Sequence, residues 1–144
     1  MSRRAQETAV WQELHELVMN RNDRRREVAD ALGISFWRVK VLRRIAARPS
    51  TMRELAASMS TDAPHMTVLV DELERLGLVR REPHPDDRRA KIATPTEEGQ
   101  KAARRADAIL KRPPPALRAL SDEDLAALVR ITTRLLSDDA PGPG

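Results

Sequence analysis

Apolar residues Val10, Leu14, Leu17, Val18, Val28 and Leu32 fall at helical spacing between Ala5 and Leu32, across the polar stretch Asn20 to Glu27, before Gly33 offers a stop. This pattern predicts one long helix. Unbroken, it would extend about 40 Å at ~1.5 Å per residue, more than a small domain can cover, so part of it calls for a second surface. Ser35 is placed to cap a second helix with apolar positions Phe36, Val39, Leu42, Ile45 and Ala46, ending at Arg48-Pro49. Thr51-Met52-Arg53-Glu54 reads as a capping box that opens a short third helix with Met52, Leu55, Ala56 and Met59 on one face. After Ser60-Thr61-Asp62, Pro64 suits a first helical turn, and Met66, Leu69, Val70, Leu73 and Leu76 form a stripe that ends at Gly77.

The period then changes. Leu78 to Arg81 and Ala90 to Thr94 read as two short strands around the turn-rich Pro83-His84-Pro85-Asp86-Asp87, a hairpin. Thr94-Pro95-Thr96-Glu97 repeats helix-start logic, with Thr94 as cap and Pro95 at the first helical position, for a fifth helix running to about Arg112. Pro113-Pro114-Pro115 must stop or turn that helix. Ser121-Asp122-Glu123-Asp124 opens the last one, with an apolar face of Leu125, Leu128, Val129, Thr132, Leu135 and Leu136; a disordered tail is expected beyond it.

Composition narrows the chemistry. The 144 residues suit one domain, and 40% apolar with 33% charged and 2% aromatic residues is a balance for Leu- and Ala-built helices, not for an aromatic-lined cleft. Lys and Arg exceed Asp and Glu by 26 to 22, a mild preference for a polyanionic partner. The absence of cysteine removes disulfides, thiolate metal sites and thiol nucleophiles. No run approaches the roughly 18 to 20 apolar residues of a membrane span. Met1-Ser2-Arg3-Arg4 leads into no apolar signal core, so a cytoplasmic location without membrane contact is expected.

Three helices followed by a hairpin place the polar edge of the fourth helix outward, and an α-helix of that kind fits the major groove of duplex DNA. Near its N-terminus stand Ala63, Pro64, His65, Thr67 and Val68. His65 and Thr67 are suited to hydrogen-bond base edges, and Ala63, Pro64 and Val68 to meet thymine methyl groups. Any solvent-exposed helix start would also be polar, so the helix alone is ambiguous. The hairpin adds Arg80, Arg81, Arg88, Arg89 and Lys91, cations of the type drawn into a narrow minor groove, with Asp87 among them.

The run Met66-Thr67-Val68-Leu69-Val70-Asp71-Glu72-Leu73-Glu74-Arg75-Leu76-Gly77-Leu78-Val79 resembles the recognition helix and first wing strand of the multiple antibiotic resistance regulator (MarR) family. Pro85-Asp86-Asp87-Arg88-Arg89-Ala90-Lys91 through Thr94, with Glu97-Glu98-Gly99, resembles its wing signature and following helix. The resemblance implies a mainly α fold with a small β-hairpin wing: a winged helix-turn-helix flanked by N- and C-terminal dimerisation helices. Residues 1–33 would be the first dimerisation helix, 35–94 the DNA-binding lobe, 95–137 the C-terminal dimerisation helices with a break at 113–115, and 138–144 the tail. It further implies a homodimer on a pseudo-palindromic operator, acting as a transcriptional repressor. It gives Arg89 a minor-groove contact and Asp87 the task of holding the wing. Two departures stand out: Val68 replaces the arginine of many relatives, and the triple proline interrupts the C-terminal helix pair.

The family's small aromatic or phenolic effectors direct attention to Trp11, His15, Trp37 and Arg38, a candidate pocket wall whose aromatics would equally serve core or dimer packing. His15, His65 and His84 are scattered, so no metal site or other cofactor is expected, and no constellation for catalysis is assembled. The alternative from another class is a non-catalytic helical adaptor that uses the winged lobe for protein contacts.

Overall fold

The computed structural model describes residues 1–138, and the chain divides into two units, the second beginning at Arg112. The first unit opens with α1 (Arg3–His15), capped by Ser2 and continued by a π-helical turn, Glu16–Arg21. None of their residues is buried; Val10, Trp11 and Val18 are more than half exposed. The predicted single helix is therefore corrected to two, because α2 (Arg25–Leu32) starts only after a break at residues 22–24. Local polar bonds compete with the helix there. Asn22 leaves helical geometry and its Nδ2 donates to the Leu17 carbonyl, while the Asp23 carboxylate accepts from the Arg25 backbone N–H and guanidinium. The Arg25 hydrogen bonds hold the Asp23 carboxyl down at about 2.

Gly33 ends α2 in the left-handed region, at φ 70°. Ser35 caps α3 (Phe36–Ala47), which runs to the extended residue Arg48. Next come β1 (Ser50–Thr51), α4 (Met52–Ser58) with both halves of the Thr51/Glu54 capping box formed, and α5 (Ala63–Arg75), capped by Asp62. Gly77, at φ 76°, turns the chain into β2 (Val79–Pro83), which pairs antiparallel with β3 (Lys91–Pro95). The expected hairpin is present but belongs to a three-stranded sheet of order β1-β3-β2, since Ser50 and Thr51 pair with Ala93 and Ile92. Two residues carry no periodicity, so a strand this short leaves no pattern to read.

The start of α6 (Glu97–Leu110) also differs from expectation. Thr96, not Thr94, is the cap: its hydroxyl accepts from the Gly99 N–H and donates to the Gly77 carbonyl, while Thr94 and Pro95 complete β3. The core joins Val41, Leu42 and Ile45 of α3, Leu55 of α4, Met66, Leu69, Val70 and Leu73 of α5, and Val79 and Ala93 of the sheet. A smaller cluster of Val28, Val39 and Ala106 packs α2 and α6 against α3.

In the second unit, the prolines give way to a single turn, α7 (Pro115–Arg118). The Ser121 hydroxyl then accepts from the Asp124 N–H at the start of α8 (Asp122–Asp138). Leu125, Val129, Leu135 and Leu136 of α8 are exposed. The helix includes Asp138, where the tail was expected to begin; residues 139–144 of that tail lie outside the described residues.

Candidate nucleic-acid interface

The two faces of α5 divide cleanly. Met66, Leu69, Val70 and Leu73 fill the core, which turns Pro64, His65 and Val68 outward while Ala63 and Thr67 are half-buried. The Asp62 carboxylate accepts from the His65 backbone N–H at 2.7 Å, fixing the first turn. Thr67 is less available than its sequence position suggests: its hydroxyl donates to the Ala63 carbonyl at 2.9 Å.

Farther along α5, Asp71 and Glu72 would repel a polyanion if left unpaired. Each is met by an arginine from another element. Glu72 takes the Arg38 guanidinium of α3, which also donates to the Ser35 hydroxyl, and Asp71 takes Arg81 of β2 at 2.5 Å. Arg81 further donates to the Thr67 carbonyl, and its backbone N–H bonds Glu74. Its side chain is 17% exposed, so this candidate wing residue braces the wing against α5 and does not extend into solvent. Strand alternation carries the signal: Val79 is buried, Arg80 exposed, and Arg81 returns to the Val79 side.

The wing tip is closed by its own polar groups. The Asp87 carboxylate accepts from the Arg89 N–H at 3.0 Å and its carbonyl from the Ala90 N–H; His84 Nδ1 accepts from the Asp86 N–H. Arg88, Arg89 and Lys91 are exposed and make no ion pair among the described residues, whereas Arg80 is paired with Glu82 at 2.7 Å. A groove of about 590 Å³ joins the tip to the helices, with Arg89, Lys91, His84 and Asp87 on one side and Arg53 and Ala63 on the other. Arg53 is the residue that sequence reasoning passed over. Its place inside the capping box, between the half-buried Met52 and the buried Leu55, already sent it outward.

The four candidate effector residues have divided surroundings. Trp11 and His15 stand exposed on α1, Trp11 at 71%. Trp37 packs against the main core with the Lys40 ammonium 5.1 Å from its ring centre, and Arg38 is bound to Glu72. The buried Trp37 indole N–H has no hydrogen-bond partner among the described residues.

Residues 32–90, from the end of α2 to the wing tip, match the model of the MarR family. The winged-helix lobe is of the MarR family. The MarR fold extends over most of the chain in solved structures. A MarR family protein from Bacillus stearothermophilus superposes with a TM-score of 0.82 at 22% identity, covering 96% of this chain and 98% of its own. Apo MarR from E. coli gives 0.69 at 24% identity over 87% and 94% of the two chains. A point mutant of S. aureus MepR bound to an oligodeoxyribonucleotide gives 0.63 at 20% identity over 92% and 96%. Among curated proteins none matches. Within this fold, α5 carries the outward Val68 and the arginine-braced Asp71 and Glu72.

Proposed function

We propose that the protein is a sequence-specific DNA-binding transcriptional regulator, a homodimeric repressor on a two-fold symmetric duplex. The observation that carries the reading is the groove that brings Arg89 and Lys91 of the wing, exposed and without an ion pair among the described residues, beside Arg53 and the start of α5. Such a surface matches duplex DNA, where a helix enters the major groove and wing cations meet backbone and minor groove. The similar MepR fold bound to an oligodeoxyribonucleotide supports it.

The exposed apolar residues of α1 and of α8 support self-association, each helix leaving a face that water would not favour. Repression needs only occupancy of the operator. Release by a small aromatic or phenolic effector would draw on Trp11 and His15, which a second copy would shelter on α1.

Selection of bound sequences from a random duplex pool tests the reading. Enrichment of a symmetric sequence with half-sites about one helical turn, ~10 base pairs, apart is expected. No enrichment over the input pool would overturn DNA recognition and favour the protein-adaptor alternative; a monomer by sedimentation would overturn the dimer.

A further inference from the structure

Val68 stands 59% exposed on the outer face of α5, the Val68 side chain forming an apolar step one turn beyond the exposed Pro64. Isolated surface valines are ordinary. What distinguishes this one is the state of its polar neighbours. The Thr67 hydroxyl is used within its own turn, and the carboxylates of Asp71 and Glu72 are each held by an arginine from another element. The first two turns of the helix therefore offer DNA a mostly apolar edge, Ala63, Pro64 and Val68, with His65 as its exposed polar side chain.

We propose that Val68 is a specificity-determining residue that reads the 5-methyl group of a thymine in the major groove. The inference rests on the DNA-binding reading above. The thymine methyl is the apolar feature of the major-groove code, and an aliphatic side chain recognises it by excluding water from both surfaces. Arg75, the exposed cation at the far end of α5, is two turns away and leaves that contact undisturbed.

The test uses the full chain and the duplex enriched from the random pool, resynthesised with each thymine replaced in turn by deoxyuridine, which lacks only the methyl. Wild-type protein is expected to lose about four-fold in affinity at one thymine of each half-site, the value of one buried methyl group. Val68→Ser, at an exposed position that leaves the core intact, should bind the thymine and deoxyuridine duplexes equally. Wild-type indifference to every replacement overturns the proposal, and so does full discrimination retained by Val68→Ser, which would move the contact to Ala63 or Pro64. Failure to enrich any duplex is a different result: it removes the DNA-binding reading itself, and this inference with it.

Discussion

The Arg81 guanidinium lies 2.5 Å from the Asp71 carboxylate, tying the first wing strand to the outer side of α5. The same side chain reaches the Thr67 carbonyl, so one arginine sets the angle between α5 and β2, the two elements proposed to engage DNA. Arg81→Ala should cost about 1 to 3 kcal/mol in urea denaturation, because it leaves Asp71 without its cation and the Thr67 carbonyl without this donor. Arg81→Lys should recover little, since a single ammonium cannot serve both acceptors in the same geometry. An unchanged midpoint for Arg81→Ala would show that the wing is positioned by the sheet alone.

Sequence legibility followed the range of the forces involved. The Thr51/Glu54 capping box, Pro64 in the first turn of α5 and the turn at Gly77 are local signals, and each appears in the structure as read. The α5 stripe is buried at Met66, Leu69, Val70 and Leu73, but its last position, Leu76, caps the helix and is exposed. The break at residues 22–24 was hidden because Asn20 to Glu27 holds no apolar residue to mark a change of phase, while Asn22 and Asp23 act by side-chain bonds that periodicity does not register. Thr94 and Thr96 both suit a cap, and only the pairing of Pro95 with Val79 decides between them. At the interface, charge alone placed Arg80, Arg81, Arg88, Arg89 and Lys91 in one group. Orientation separates them: Arg81 turns inward, Arg80 pairs with Glu82, and the remaining three stay exposed.

Arg89 is the clearest place to separate binding from stability. Its side chain is exposed and unpaired among the described residues, so Arg89→Ala should leave the urea midpoint unchanged. Affinity for the selected duplex should fall by about 1 to 3 kcal/mol. Equal affinity for the variant and the wild type in a gel-shift titration would remove Arg89 from the interface.

Gly99 tests how α6 is seated. A Cβ added there would lie 1.8 Å from the Leu78 carbonyl oxygen, which also accepts from the Thr96 N–H. Backbone on both sides leaves no side chain to move aside. Gly99→Ala should therefore destabilise by about 1 to 3 kcal/mol, read as a lower urea midpoint. An unchanged midpoint would mean that α6 lifts from the base of the wing without cost.

Asp23 links the break before α2 to pH. Its folded pKa, about 2, is below the ordinary carboxylate value of 3.8, with the Arg25 side-chain hydrogen bond as the leading cause. A depressed folded pKa contributes stability that is complete above the unfolded value and is lost as pH falls from about 4 through 2. Carboxyl-carbon NMR titration should show Asp23 changing in that lower range, with Arg25→Ala moving it upward. A midpoint near 4 in the wild type would mean that the Asp23–Arg25 bond does not persist in solution.

Asp87 sets two physical effects against each other, and their signs decide its role. As a negative charge among Arg88, Arg89 and Lys91 it opposes DNA, so its removal should tighten binding if charge alone mattered. As the acceptor for the Arg89 backbone N–H it shapes the tip, so its removal should weaken binding if geometry matters more. Asp87→Ala loses both the charge and the acceptor; Asp87→Asn loses the charge and keeps an acceptor oxygen. The structure favours geometry, because the same bond orients the residue expected to enter the minor groove. Asp87→Ala should weaken binding by about 1 kcal/mol, the worth of one such hydrogen bond, while Asp87→Asn binds at least as tightly as wild type. Tighter binding by Asp87→Ala would reverse the assignment and leave Asp87 as an electrostatic brake.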